Sequence, residues 1–329
     1  MGLVRGRVSV VIPARNEAHL VKTIEGLLAR AAGDVEIIPV LDGRLSDGSF
    51  QTLPTDSRIK PIYRDVPLGM RPAINDGAAA ATGEFLLKAD GHVILGEGYD
   101  EILKRDCDYD WVVVPTRHSI EAETWTVKPR HFNYSVLTYP FLPSMYGAGF
   151  HAVTFGWREN KDINAQRADR MIDDIIGAQG SIWFQHTAYF RSFAPLDHDG
   201  LYFYQENQEV TLRVLATGGR SVINKHTFGA HYHKGGENRG ADGRPGRGFY
   251  LDVRKKRQSE ASIVDWCLTG WPASWGRTVR TFESIVEQHW WLLSQMKDPR
   301  YAWPSDWRDW DAHRARFDAR TPDEIPAHT

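Results

Sequence analysis

Cysteine is almost absent from this chain, in which Cys107 and Cys267 are the only two among 329 residues. They lie far apart and lack the close spacing of a structural zinc site, so we expect two buried thiols in a reducing compartment. A run of about 18 apolar residues, which a membrane span requires, is also missing. Residues 1–13 lack the long apolar core of a signal peptide. These absences predict a cytoplasmic protein without a membrane segment.

Net charge is likewise small, at −2 for pH 7, which gives the chain no overall attraction to nucleic acids or anionic membranes. The charge is unevenly distributed, because residues 220–260 contain ten Lys or Arg and only four Asp or Glu. This segment is therefore basic within a nearly neutral chain. With 42% hydrophobic and 25% charged residues, the composition is that of a folded chain with a sizeable core.

Two phosphate-binding signatures are missing as well. No G-x-G-x-x-G follows the first strand and no G-x-x-x-x-G-K-[ST] occurs, so neither a Rossmann dehydrogenase nor a P-loop ATPase is favoured. Instead, strands and helices alternate, which predicts an α/β fold with a mostly parallel sheet, helices on both faces and a ligand site at the carboxyl ends of the strands. The predicted strands of this half are 8–12, 35–41, 59–63, 85–87 and 110–115, with helices at 18–31 and 70–81.

The second half of the chain has a more irregular pattern. It predicts helices at 168–178 and 206–216, with short strands at 180–184, 188–190 and 221–223. Residues 280–296 have the periodicity of an amphipathic helix, and the tryptophans that follow are expected to clamp onto the first domain. The glycine-rich segment 234–250 predicts a lid loop. The chain is thus divided into a first domain, 1–235, and a second part, 236–329, with the basic lid loop and a helical, Trp-rich C-terminal extension.

The stretch 83–95 carries the most specific chemistry. Its apolar strand ends at Asp90-Gly91-His92, and a second apolar trio follows. A carboxylate and an imidazole two residues apart project the same way from extended backbone, and the glycine lets a phosphate approach the main chain. Oxygen and nitrogen ligands together suit Mn²⁺ or Zn²⁺ better than Ca²⁺. The alternative interpretation is an Asp-Gly turn followed by a surface histidine.

Four stretches, taken in order, resemble the GT-A nucleotide-sugar glycosyltransferases of the family 2 type. They are Val8–Glu17 (VSVVIPARNE), Val40–Gly43 with the SDGS that follows, Gly83–His92, and Glu206–Glu209 continuing through Gly218-Gly219 to His231. Within that fold they look most like the polypeptide N-acetylgalactosaminyltransferases, which have Asp-x-His where most relatives have Asp-x-Asp. The resemblance covers roughly residues 8–235.

The resemblance implies a divalent cation, Mn²⁺ or another, and a UDP-sugar donor. Asp90, His92 and His231 are the implied metal ligands, with His233 as the competing third ligand. Asp42 is expected to accept a hydrogen bond from the pyrimidine ring, and Lys234 to close over the pyrophosphate. The full set expected to contact the donor is Pro13, Arg15, Glu17, Asp42, Arg71, Asp90 and Lys234. The alternative for Arg71 is an ion pair with a local acid, and the alternative for Asp42 is an ordinary turn residue.

Glu206 and Glu209 are the acids expected nearest to the sugar. One could deprotonate the acceptor hydroxyl in an inverting reaction, or position the sugar in a retaining one. Because carboxylates are common at the start of a helix, the alternative is that both only stabilise that helix end.

The sequence thus predicts a metal-dependent glycosyltransferase of the hexosyl or N-acetylhexosaminyl type. Its acceptor is expected to be a glycan, a polymer or a hydroxymethylated DNA base. The nucleic-acid hypothesis depends on the basic segment 220–260 and on the aromatic stretch 125–150. One alternative is a non-catalytic carbohydrate- or nucleic-acid-binding protein on the same scaffold. Another is a nucleotidyltransferase, which should have a glycine-rich signature where this chain has PARNE.

Overall fold

A computed structural model describes most of the chain. The described residues are 2–139, 157–159, 161–193, 195–196, 206–233, 241, 277–297 and 302–318. The strands are β1 Val4–Ala14, β2 Val35–Asp42, β3 Ile62–Arg64, β4 Gly83–Ala89, β5 Val93–Leu95, β6 Trp111–Glu121, β7 Thr126–Phe132, β8 Ser135–Leu137, β9 Trp157–Glu159, β10 Ile172–Asp174, β11 Ile182–His186 and β12 Arg220–His231. The helices are α1 Leu20–Arg30, α2 Met70–Ala80, α3 Tyr99–Arg105, α4 Lys161–Gln166, α5 Thr187–Phe193, α6 Glu206–Ala216, α7 Phe282–Gln288, α8 Trp290–Leu293 and α9 Trp310–Asp318.

One large sheet organises the fold, in the order β10-β12-β6-β11-β4-β1-β2-β3. Strands β4, β1, β2 and β3 are parallel, and so are β12 and β6. Strand β11 is antiparallel to both of its neighbours, β4 and β6, and therefore joins the two parallel halves. Short β5 and the edge strand β7 pair antiparallel with β12 and β6. The mostly parallel sheet is confirmed, although the sequence did not predict the antiparallel strand in its middle.

Helices cover both faces of this sheet. Successive residues of β4 point to opposite faces, so that Leu86 enters one apolar cluster and Leu87 the other. Helices α1 and α3 pack on the Leu87 side, whereas α2, α5, α6, α7 and α8 pack on the Leu86 side. The α/β class with helices on both faces is thus confirmed.

The Trp-rich part of the chain packs into the core. Trp303 and Trp307 are buried in the same cluster as Leu86, and Trp303 Nε1 donates a hydrogen bond to the Leu137 carbonyl at 2.7 Å. The helical C-terminal extension is confirmed, and these tryptophans are structural parts of the core. The predicted division near residue 235 stays a prediction, because 234–240 and 242–276 lie outside the described residues.

Three predicted elements differ from the structure. The helix predicted over 168–178 is wrong, because residues 172–174 form β10 and pair with β12. The strand predicted at 188–190 is wrong, because those residues belong to α5. A short apolar run fits the repeat of a helix as well as that of a strand, so the elements against which it packs decide which of the two forms. The helix predicted over 280–296 is interrupted at His289, which separates α7 from α8. Helix α6 has the predicted bounds 206–216.

Among the helices that the structure describes, none combines the length and the apolar character needed to cross a bilayer.

Candidate metal centre

The predicted Asp90-Gly91-His92 motif forms the short connection between β4 and β5. Asp90 N–H donates to the Ser181 carbonyl at 2.9 Å, just before β11 begins. Thr23 of α1 donates through Oγ1 to the Gly91 carbonyl, also at 2.9 Å. The connection is therefore held from two sides, and Asp90 and His92 are fixed at the carboxyl end of β4, where a parallel sheet binds its ligands.

His231 joins them from a distant part of the sequence. It ends β12, which pairs antiparallel with β5 so that His231 lies opposite Val93. Tyr232 N–H also donates to the His92 carbonyl at 3.1 Å. His231 Nε2 lies 3.2 Å from Asp90 Oδ2, and His92 Nε2 lies 3.9 Å from the same oxygen. The structure thus brings together the three residues predicted to bind a metal, with their ligand atoms all within 4.8 Å of one another.

These residues fit a divalent cation. Both ring nitrogens of His231 are shielded from solvent, and neither makes a well-aligned hydrogen bond in the part of the chain that the structure describes. Buried nitrogens in that state are rare, and metal coordination would satisfy one of them. Burial lowers the pKa of His231, so the imidazole is neutral and has a lone pair to offer. One oxygen and two nitrogen donors suit Mn²⁺, Zn²⁺ or a similar ion.

Glu17 determines the orientation of His92. His92 Nδ1 lies 3.0 Å from Glu17 Oε2, while Glu17 Oε1 accepts a hydrogen bond from His19 N–H at 3.1 Å. With Nδ1–H donating to this carboxylate, Nε2 is left to face Asp90, as in many metal-binding histidines. A Cβ on Gly91 would lie 2.7 Å from Glu17 Cγ, so the motif requires glycine at its centre. The predicted donor contact Glu17 is therefore placed directly behind a predicted metal ligand.

Lys88 is the residue that sequence analysis missed. It is fully buried in β4, and its Nζ donates to Asp90 Oδ1 at 2.6 Å and to the Gly180 carbonyl. Glu206 Oε1 lies 3.7 Å from the same nitrogen. Burial alone would raise the pKa of Asp90, but Lys88 and the nearby histidines hold it below its usual value. A lysine inside the apolar run FLLKA, on the same strand face as Asp90, was the available signal.

The two predicted catalytic acids are both buried at the start of α6. Glu206 Oε1 accepts a hydrogen bond from Trp183 Nε1 at 3.0 Å. Burial raises the pKa of Glu206, although Lys88 and Trp183 act in the opposite direction. Glu209 lies between two arginines and forms ion pairs with Arg71 and Arg213. Arg71 thus pairs with a local acid, as its alternative interpretation has it, while its donor contact and the catalytic roles of both acids stay predictions.

Asp42, expected to bind the pyrimidine ring, lies buried at the carboxyl end of β2. Its Oδ1 accepts from Arg64 Nη1 at 3.0 Å and from Leu68 N–H at 2.9 Å, and its Oδ2 accepts from Gly69 N–H at 2.8 Å. A carboxylate accepts about four hydrogen bonds, so these three leave room for one more. Asp42 therefore fixes the start of α2 and keeps the capacity for a donor contact.

The other predicted site residues are more dispersed. Pro13 and Arg15 lie half-buried at the carboxyl end of β1, the same sheet edge as Asp90. His233 Nε2 lies 2.6 Å from Arg117 Nη2, and the ring of His233 is only edge-on to His231. His233 is therefore outside the three-ligand cluster. Lys234 lies outside the described residues.

An aromatic cluster lies beside the centre. His19 stacks on Trp125 with ring centroids 4.6 Å apart, and it meets the edge of Tyr232 at 5.1 Å. His19 follows closely after Glu17, and Tyr232 follows His231 directly. The start of the predicted aromatic stretch thus reaches the site, whereas its residues 140–150 lie outside the described part of the chain.

Comparisons with known proteins agree with this fold. Residues 9–169 match the sequence model of Glycosyl transferase family 2. Among solved structures, the chain is similar to GalNAc-T7 with UDP, GalNAc and Mn²⁺, with a TM-score of 0.60 and 15% identity. That match covers 95% of this chain and 55% of the GalNAc-T7 chain. The predicted resemblance to GT-A glycosyltransferases of the family 2 type is thereby confirmed, and the chain spans about half the length of that relative.

Two structures of S. aureus TarS match less well. One has a TM-score of 0.41 with 13% identity, covering 70% of this chain and 37% of the TarS chain. The other, TarS 1-349 in complex with UDP-GlcNAc, has a TM-score of 0.46 with 14% identity, covering 80% of this chain and 67% of that chain. No curated protein sequence matches the chain significantly.

Proposed function

We propose, from the match of residues 9–169 to Glycosyl transferase family 2 and from the GT-A-like fold, that this chain transfers a sugar from a nucleotide diphosphate donor to a hydroxyl acceptor. The observation that carries the proposal is the convergence of Asp90, His92 and His231 at the carboxyl edge of the sheet. The side chains of Asp90, His92 and His231 are 20%, 14% and 14% exposed, so the cluster is partly accessible from the surface.

A divalent ion bound by Asp90, His92 and His231 would supply Lewis-acid neutralisation of the diphosphate leaving group. The other residues of the chain prepare this position. Glu17 orients His92, and Lys88 holds Asp90. The uncharged His231 ring presents a lone pair without a competing proton. The work of the protein is thus to keep three ligand atoms in place before the donor arrives.

The donor is proposed to be a UDP-sugar and the ion Mn²⁺. Support comes from the GalNAc-T7 structure, which contains UDP, GalNAc and Mn²⁺ on the same fold. Asp42 has capacity for one further hydrogen bond, and we assign it to the N–H of the uracil ring. Arg15 and Pro13 at the neighbouring strand end complete the proposed nucleotide side. The sugar is proposed to be a hexose or an N-acetylhexosamine.

Glu206 is the better placed of the two proposed catalytic acids. It lies next to Lys88, which contacts the metal ligand Asp90, whereas Glu209 is neutralised by two arginines. Because Glu206 is buried, we propose that it positions the site around the sugar. The acceptor stays a prediction: a glycan or polymer hydroxyl is preferred, since no observation on the described residues favours a nucleic-acid base.

Thermal unfolding with UDP tests this proposal. UDP should raise the unfolding midpoint in the presence of Mn²⁺ and leave it unchanged in EDTA, because the diphosphate binds through the ion. Asp90→Ala and His92→Ala should each abolish the Mn²⁺-dependent part. Equal stabilisation by UDP in Mn²⁺ and EDTA, in the wild type and in both variants, would overturn the metal-dependent mechanism. Hydrolysis of a panel of nucleotide sugars by the wild-type protein then identifies the donor.

A further inference from the structure

We infer that Lys88 is a positioning residue that limits Asp90 to one metal-binding oxygen and thereby makes metal binding depend on the nucleotide diphosphate. This inference rests on the proposed function. Lys88 is not among the predicted site residues. Through its contact with Asp90 it would determine under which conditions the ion binds.

The surroundings of Lys88 keep its amino group in one position. Its Nζ is enclosed by Asp90 Oδ1 at 2.6 Å, the Gly180 carbonyl and Glu206 Oε1 at 3.7 Å. An ammonium group has three N–H donors, and these three acceptors surround it. Because the side chain is fully buried, moving it away would leave uncompensated charges in the protein interior. Lys88 therefore stays bound to Asp90 whether or not an ion is present.

The two oxygens of Asp90 consequently have separate partners. Oδ1 is occupied by Lys88, whereas Oδ2 faces His231 Nε2 at 3.2 Å and His92 Nε2 at 3.9 Å. Oδ2 therefore faces the ion position, and the positive charge of Lys88 beside Oδ1 opposes a second bond from Asp90 to the dication. The residues that the structure describes then offer three single-atom ligands, and an ion that prefers about six ligands is expected to take others from phosphate oxygens and water.

Lys88 also reduces the negative charge that Asp90, His92 and His231 together present to the ion. Asp90 is the only anion among the three, and its charge is shared with the Lys88 ammonium. Glu17 and Glu206 add negative charge nearby, but Glu17 binds the far side of the His92 ring and Glu206 binds Trp183. Repulsion between the ammonium and the dication therefore weakens binding until the diphosphate brings its own negative charges. Metal and nucleotide should bind as a pair.

The rival explanation is that Lys88 and Glu206 only join β4 to α6 as a structural ion pair. The double variant Lys88→Met with Glu206→Gln separates the two explanations, because it removes the ion pair as a unit, while the new amide oxygen can still accept from Trp183. Lys104→Met is the matched control. Lys104 Nζ also donates to one carbonyl, of Gly6 at 2.8 Å, and to one carboxylate, of Glu101 at 2.6 Å, and neither partner is a proposed ligand.

The experiment is a Mn²⁺ titration followed by electron paramagnetic resonance, with and without UDP. The wild type and the control should bind Mn²⁺ weakly alone and at least about tenfold more tightly with UDP. The double variant should bind Mn²⁺ alone at least about tenfold more tightly than the wild type, with a smaller gain from UDP. Affinity equal to or weaker than that of the wild type, in a variant with unchanged circular dichroism, overturns the inference.

The single variant Glu206→Gln is a second test that keeps the lysine in place. Without Glu206, the charge of Lys88 acts on Asp90 alone, so Mn²⁺ binding in the absence of UDP should weaken further. Tighter binding by this variant contradicts the inference even if the double variant does not fold. A wild-type protein that binds no Mn²⁺ in either condition instead overturns the proposed function, and the inference with it.

Discussion

The Nδ1 atom of His92 lies 3.0 Å from Oε2 of Glu17, and this contact leaves the opposite nitrogen of the ring facing Asp90. Glu17 follows β1 and His92 follows β4, so two neighbouring parallel strands contribute to one ligand. The contact links a residue in the PARNE motif to the Asp-Gly-His motif. The two motifs therefore contribute to the same site.

Removing this carboxylate should loosen the metal centre without destroying it. Glu17→Ala takes away the partner of His92 Nδ1, so the ring can rotate or change tautomer. We expect Mn²⁺ affinity to fall about 10- to 100-fold, the usual effect of losing such a partner. The measurement is Mn²⁺ binding in the presence of UDP. Glu25→Ala, at an exposed position of α1, is the control and should bind like the wild type. Equal affinities in both variants would contradict the role of Glu17.

A methyl group at position 91 should have a related effect. In Gly91→Ala the new Cβ would lie 2.7 Å from Glu17 Cγ, so the Glu17 side chain must move away from His92. We expect the Mn²⁺-dependent stabilisation by UDP to be reduced. Gly26→Ala in α1 is the matched control, because a Cβ there meets no atom within 4 Å and alanine favours a helix. If both variants keep the full stabilisation by UDP, the close approach at Gly91 has no functional consequence.

Substitutions of His231, which ends β12, and of His233, two residues later, should differ sharply in their effect on activity. His231→Ala removes a proposed ligand and is expected to reduce sugar transfer or donor hydrolysis by a factor of about 100 or more. His233→Ala should be milder, because His233 contacts Arg117 outside the cluster. Rates measured at saturating Mn²⁺ decide between them. The opposite ranking would assign the third ligand to His233.

The ion pair between Arg71 and Glu209 allows a test of whether Arg71 stabilises the fold or contacts the donor. Both are buried and paired, and removing one partner of a buried ion pair typically costs about 3–5 kcal/mol of unfolding free energy. Arg71→Met should show a loss of this size in chemical denaturation. Arg308→Met, which breaks the exposed pair with Glu287, should show no measurable change. Unchanged stability of Arg71→Met with weaker UDP binding would instead favour a donor contact.

Acid should destabilise the protein partly through His289. Burial lowers the pKa of this histidine, which lies between α7 and α8, below its usual 6.5. Below about pH 6.5 the histidine is protonated in the unfolded chain but stays neutral in the folded one. The free energy of unfolding therefore decreases as the pH falls, by at most about 1.4 kcal/mol per pH unit. His289→Gln should flatten this part of the profile. His131→Gln, at an exposed position, should not, and the same slope in both variants would exclude His289 as the cause.

Sequence reasoning predicted the fold class and gathered the three proposed ligands from distant positions. It succeeded there because short motifs at strand ends converge at one edge of a parallel sheet. It failed at 168–178, whose apolar spacing suits a helix, because pairing with β12 decides the outcome. It also missed Lys88, since local sequence does not show that Gly180 and Glu206 enclose the amino group. Such contacts exist only after the sheet has formed.

The position of β11 determines when the centre can exist during folding. Strands β1 to β4 are made early, but the free edge of β4 is covered only when β11 pairs with it, and His231 follows later still. A nascent chain therefore has an unpaired strand edge for much of its synthesis, which favours association with other chains. The non-local pairings also slow folding. The proposed ion and nucleotide can therefore bind only after the sheet is complete, so we expect them to stabilise the folded protein and not its early folding intermediates.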